Sequence, residues 1–187
     1  MAGRVCPWWV GYLLVSPVRR WFEKPEAVLG PHLKSGVTAL DVGCGMGFFS
    51  LSMAELVGPS GRVICVDLQR RMIEALRRRA ARAGVSDRIE TRVCSQGSLG
   101  VRDLEGEVDF ALAYAVVHEV PDAARFLAEI GEALARGGRL LIAEPRGHVS
   151  SEALEGTTAA ARKAGLSVVD RPDIKRSRSV LLERPGG

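Results

Sequence analysis

The sequence predicts an α/β protein whose sheet is mostly parallel and closes with an antiparallel C-terminal strand. Three observations predict it. From residue 36 onward, short apolar runs alternate with longer stretches of helical periodicity, the pattern of parallel strands joined by crossover helices. A glycine-rich turn stands where the first strand gives way to a helix, and an acid closes the strand that follows. Only about ten residues separate the last two strands, too few for a helical crossover, so those two pair antiparallel. With 187 residues the chain can bury one hydrophobic core without staples.

The first strand is Thr38 to Val42. Phe49, Met53, Leu56 and Val57 then share one helical face until Gly58, Pro59 and Gly61 stop the helix. The second strand is Arg62 to Asp67, and Arg70 to Ala83 is a helix with Met72, Ile73, Leu76 and Ala80 inward, closed by Gly84. Ile89 to Cys94 and Val108 to Tyr114 are the third and fourth strands. Asp122 caps a helix carrying Phe126, Leu127, Ile130 and Leu134, which Gly137 and Gly138 end. Arg139 to Glu144 is the fifth strand, a helix runs from Ser151 toward Ala164, and Leu166 to Asp170 with Ser179 to Glu183 complete a seven-stranded sheet.

Apolar residues make up 47% and charged residues 26%, ordinary globular usage that excludes collagen-like, coiled-coil and disordered chains. The net charge of +4 is a mild excess. Its dense cluster, Arg70 to Arg82, reads as a solvated helix face, so nucleic acid is not the expected partner. Cys6, Cys44, Cys65 and Cys94 are widely spaced, which points to neither a metal site nor a disulfide framework and places reduced thiols in the cytoplasm. The most apolar stretch, Val5 to Val15, falls well short of the roughly 20 residues a spanning helix needs. Trp8, Trp9 and Trp21 set residues 1–30 apart as an aromatic-rich segment, expected to be a lid or a flanking helix. Residues 5–22, with Trp and Arg beside an apolar face, also allow peripheral membrane contact.

The run Val37-Thr38-Ala39-Leu40-Asp41-Val42-Gly43-Cys44-Gly45-Met46-Gly47 occupies the strand-to-helix junction, where ligands bind in open α/β sheets. Its glycines let a ligand lie against bare backbone near a helix amino terminus. Asp67, closing the second strand, can accept hydrogen bonds from both hydroxyls of a ribose, so a nucleoside is the expected ligand. A dinucleotide fingerprint would carry its third glycine at position 48, which is Phe48, and Gly47 comes one residue early. No pyrophosphate is then required.

These residues resemble the class I S-adenosylmethionine-dependent methyltransferases. DVGCGMG is similar to that family's first motif, and the resemblance extends over roughly residues 30 to 185, through VVHEVPD at 116–122 and ARGGRLLIAEP at 135–145. It implies a Rossmann-like three-layer α/β/α sandwich over residues 31–187, with S-adenosylmethionine as cofactor and S-adenosylhomocysteine as product. Carried over, Gly43, Gly45 and Gly47 line the methionine part and Asp41 lies near its amino group. Asp67 holds the ribose, Leu68 packs on the adenine face, and Ser95 with Gln96 meet its polar edge. Many members have Asp where Ser95 stands; a plain turn before Gly97 is the alternative there.

The same resemblance puts acceptor contacts after the fourth and fifth strands, at Tyr114, His118, Glu119 and His148, and Glu144 ends its strand near them. The expected activity is methyl transfer to a small-molecule acceptor without a metal. Two other readings use the same glycines and Asp67: a non-catalytic sensor of the nucleoside, and an NAD-type oxidoreductase. Arsenite methyltransferases, relatives by fold, bind metalloid through clustered thiolates, but Cys44 and Cys65 read as small buried hydrophobes.

Overall fold

The computed structural model describes residues 24–186. Cys6 and the segment read as a lid, flanking helix or membrane contact lie, up to residue 23, outside the described residues. The described chain forms two compact units that divide between Cys94 and Ser95.

The first unit opens with a short helix, α1 (Pro25–Leu29), started by a proline at its first position. Its Leu29 is fully buried, and Glu26 Oε1 accepts a 3.0 Å hydrogen bond from Ser52 Oγ on the next helix. Strand β1 (Thr38–Val42) pairs in parallel with β2 (Arg62–Asp67), Asp41 opposite Cys65, and β2 pairs in parallel with β3 (Ile89–Val93). The crossovers are α2 (Ser50–Val57) and α3 (Arg70–Ala83). Met72, Ile73, Leu76 and Ala80 are buried while Arg71, Arg78 and Arg82 face outward, and Gly84 ends α3 in the left-handed conformation, as the sequence predicts; Arg79 instead turns inward to donate to Met46 O. The third strand stops at Val93, one residue short of the expected Cys94, whose N–H still donates to Asp67 O at 3.0 Å.

In the second unit β4 (Val108–Tyr114) pairs in parallel with β5 (Leu134–Pro145), separated by α4 (Ala123–Ala133). Asp122 caps α4 as expected, accepting from Arg125 N–H at 3.0 Å. Leu134 corrects the sequence reading: it is the first residue of β5, opposite Val108, and not the last apolar position of the helix. Gly137 and Gly138 accordingly lie inside the strand, tied by backbone hydrogen bonds to Arg184. Helix α5 (Ser151–Lys163) follows, then β6 (Ser167–Asp170) and β7 (Ser177–Glu183). Strand β7 runs antiparallel to both β5 and β6 and begins two residues earlier than expected, because Ser177 pairs with Pro145.

Across the sheet the order is β3-β2-β1-β4-β5-β7-β6. This is the mostly parallel, seven-stranded Rossmann-like sheet the sequence predicts, its antiparallel strand β7 inserted one place in from the edge. Among the described residues no helix is long and apolar enough to cross a membrane.

Candidate functional site

In the first unit the turn after β1 is pinned to β2. Gly43 and Cys44 N–H both donate to Val66 O, at 2.8 and 3.1 Å, and Gly45 N–H donates to Asp67 Oδ2 at 2.9 Å. Gln69 N–H donates to the other oxygen, Asp67 Oδ1, at 2.8 Å. Two glycines of the turn answer different demands. Gly45, at φ +54°, would project a Cβ into open space, so its bare backbone borders room for a ligand. Gly47, at φ +82°, would drive a Cβ to 2.2 Å from Leu76 Cδ1, so there the close approach of α3 demands glycine.

Asp67 is 8% exposed. Burial raises its pKa, and the bonds from Gln69 and Gly45 pull it partway back. A carboxylate offers about four acceptor positions, so two backbone donors leave capacity for the hydroxyls of a ribose. Asp41, one strand over, is buried and accepts from Ser50 Oγ at 2.5 Å. Burial pushes its pKa up to about 7; Ser50 opposes the shift and the negative charge of Asp67 adds to it. Leu68 beside Asp67 is half-buried. Cys44 and Cys65 are buried free thiols, and burial, then the neighbouring Cys65, pushes the Cys44 thiol upward. They sit as small apolar side chains.

In the second unit Ser95 and Gln96 are exposed in a tight turn, Ser95 and Ser98 exchanging backbone hydrogen bonds of 3.1 and 3.4 Å. Its organiser is a residue the sequence reading missed. Glu129, 8% exposed on α4, accepts from Leu99 N–H at 2.7 Å and Ser98 Oγ at 3.0 Å through Oε2, and from Arg125 Nε at 3.3 Å through Oε1. The signal was a lone acid among the apolar positions Phe126, Leu127 and Ile130.

At the end of β4, Tyr114 OH lies 3.2 Å from Ser177 Oγ. The next residue, Ala115, holds φ at +56° while its N–H donates to Ala143 O at 2.8 Å. The chain then enters a short 3-10 turn, Val117–Glu119, folded over Glu144. Glu144 is 1% exposed; its Oε1 accepts from Val117 N–H at 2.7 Å and its Oε2 is hydrogen-bonded to His118 Nδ1. The His148 ring meets that of His118 edge-on, centroids 5.7 Å apart. Three candidates, His118 from the turn after β4, Glu144 from the end of β5 and His148 from the loop after it, therefore form one cluster. The bond to Glu144 raises the His118 pKa, partial burial opposes, and Glu119 adds a smaller upward push.

These residues fit the adenosyl group the sequence implies: glycine backbone beside open space at Gly45, and a buried strand-terminal acid with acceptor capacity to spare. The family model for a methyltransferase domain matches residues 33–173. A Streptomyces fradiae protein encoded in a transposon is 38% identical over 112 residues, 60% of this chain and 31% of its own length. The demethylmenaquinone methyltransferase of Symbiobacterium thermophilum is 36% identical over 121 residues, 64% of this chain and 47% of its own length. The chain thus spans about a third to a half of these curated relatives. A crystal structure of a SAM-dependent methyltransferase from Aquifex aeolicus shares the fold, with TM-score 0.85 and 23% identity, covering 96% of this chain and 100% of that one. The family match takes in both the glycine turn and the His118–Glu144 cluster, and this chain belongs to the methyltransferase-domain family.

Proposed function

We propose that the protein is a class I S-adenosylmethionine-dependent methyltransferase that methylates a small-molecule acceptor and releases S-adenosylhomocysteine. The observation that carries this reading is the tie between Gly45 and Asp67, which brings a glycine backbone bordering open space to a buried ribose-type acid. When bound, the cofactor supplies an electrophilic methyl on a sulfonium. Gly43, Gly45 and Gly47 serve its methionine part and Asp41 its ammonium group. Asp67 serves the ribose, Leu68 the adenine face, and Ser95 with Gln96 the adenine edge. Tyr114, His118 and His148 serve the acceptor. Much of the rate in such a displacement comes from alignment, so a rigid, buried scaffold under these groups is what the chemistry needs.

Phe48 argues against a dinucleotide. At the place of a third glycine its ring is buried, edge-on to Phe49 at 5.2 Å. A pure sensor would have no use for an accessible imidazole anchored on the buried Glu144. The relative named for demethylmenaquinone supports an aromatic acceptor. Buried reduced thiols at Cys44 and Cys65 support a cytoplasmic setting.

Calorimetry tests the proposal. S-adenosylmethionine and S-adenosylhomocysteine should bind and NAD should not; binding of NAD alone would overturn the reading.

A further inference from the structure

Glu144 is a buried acid with both oxygens committed to the turn that follows β4. Its Oε1 takes Val117 N–H at 2.7 Å and its Oε2 takes His118 Nδ1, from residues 27 and 26 positions earlier in the chain. A carboxylate can only accept hydrogen bonds, so the shared proton belongs to Nδ1, and a neutral His118 ring then carries its lone pair on Nε2. The turn is held at a cost. Ala115 occupies the left-handed region, φ +56°, which disfavours a residue with a Cβ by about 1–2 kcal/mol. Backbone strain of this kind persists where surrounding bonds over-determine it, here Ala115 N–H on Ala143 O and Val117 N–H on Glu144. The His118 side chain keeps 24% of its surface exposed against 1% for Glu144. The imidazole therefore remains accessible while its anchor does not.

We infer that Glu144 is a positioning residue that holds His118 with Nε2 free to take a proton from the methyl acceptor, and that the acceptor is one that loses a proton from a hydroxyl or an activated carbon as it is methylated. This rests on the proposed methyl transfer and deepens it to a substrate class. Thiolates, tertiary amines and metalloid lone pairs attack without proton loss and would leave the pair idle. In the balanced step the acceptor's O–H or C–H proton passes to Nε2, and the freed electron pair forms the bond to the methyl carbon. The carbon–sulfur bond breaks with its pair going to sulfur, and the imidazolium later returns the proton to water. The groups facing His118 are Glu144 from β5, Glu119 on its own turn and His148 from the loop after β5. Both acids raise its basicity, Glu144 the more.

The test uses the full chain, methyl-labelled S-adenosylmethionine and three probe acceptors: catechol, dihydroxynaphthalene and dithiothreitol. Transfer to the two hydroxyl-bearing aromatics should rise with pH as His118 deprotonates. His118→Gln should slow it by about a hundredfold or more, the usual worth of a general base, with S-adenosylhomocysteine affinity unchanged by calorimetry. Added imidazole should restore part of the rate to His118→Ala. Glu144→Gln should lower the plateau and move the acidic limb of the profile to lower pH, because the imidazole loses its anionic partner. NMR of isotope-labelled histidine should then show His118 titrating lower and no longer held in one tautomer. Unaltered rate and pH profile in His118→Gln, an unmoved limb in Glu144→Gln, or transfer to dithiothreitol alone would overturn the inference and leave methyl transfer standing. Tight S-adenosylhomocysteine binding with no label on any probe would instead overturn the methyl-transfer reading itself.

Discussion

Gly45 and Gly47 stand two positions apart and should fail in different ways. Gly45→Ala meets open space and costs only the left-handed strain, about 1–2 kcal/mol, yet should sharply weaken S-adenosylhomocysteine binding. Gly47→Ala collides with Leu76 and should lower the melting temperature more than it lowers affinity per folded molecule, with Leu76→Ala in the same chain recovering part of the loss. Asp67→Ala removes acceptors for charged hydrogen bonds worth ~1.5–3 kcal/mol each. Calorimetry should show affinity at least roughly tenfold lower; an unchanged dissociation constant in the folded variant would show that the ribose is held elsewhere. Asp41 gives a pH signature. Its folded pKa, about 7, stands above the unfolded value. The protonated folded state is therefore favoured, fully so below the unfolded pKa near ~4, and that stability is lost as pH rises through about 7. Asp67 shifts in the same direction. Denaturant melts of the ligand-free protein should show the advantage of Asp41→Asn over wild type growing across that window; parallel curves would refute the buried, protonated acid.

At the scale of elements, the loop between β3 and β4 is held by a helix as well as by its own turn. Glu129 on α4 satisfies the Leu99 N–H and the Ser98 hydroxyl at once. Glu129→Ala leaves the buried Leu99 N–H without its partner and should cost about 1–3 kcal/mol, with hydrogen exchange at Leu99 accelerated well beyond that at β1. Uniform exchange across the molecule would mean the loop is held otherwise. The same helix shows why its C-terminal boundary was hard to read. Leu134 continues the apolar spacing of Phe126, Leu127 and Ile130, but its place opposite Val108 turns the chain straight from helix into strand. Periodicity cannot separate those outcomes; pairing with a strand some 26 residues earlier can.

For the molecule as a whole, a ligand that binds only the folded state must raise its stability. S-adenosylhomocysteine at a hundredfold excess over its dissociation constant should stabilise the protein by about 2.7 kcal/mol, seen as a rise in melting temperature that NAD does not produce. The element order, the parallel β1-β2-β3 run and the glycine turn with Asp67 were legible in the chain because each is written in local periodicity and fixed spacing. Gly45 and Gly47 looked equivalent there, since spacing cannot say that one faces space and the other Leu76. Tyr114, His118 and His148 could be named as candidates but not joined, and Glu144 could be read as a mere strand end. The pairing of Tyr114 with Ala143 brings Glu144 level with the turn after β4 and makes the acid and the imidazole partners. What the chain alone determined was therefore the order of elements and the glycine-rich turn. Only the tertiary structure decided which distant side chains share a proton, because that depends on strand register, which no local pattern encodes.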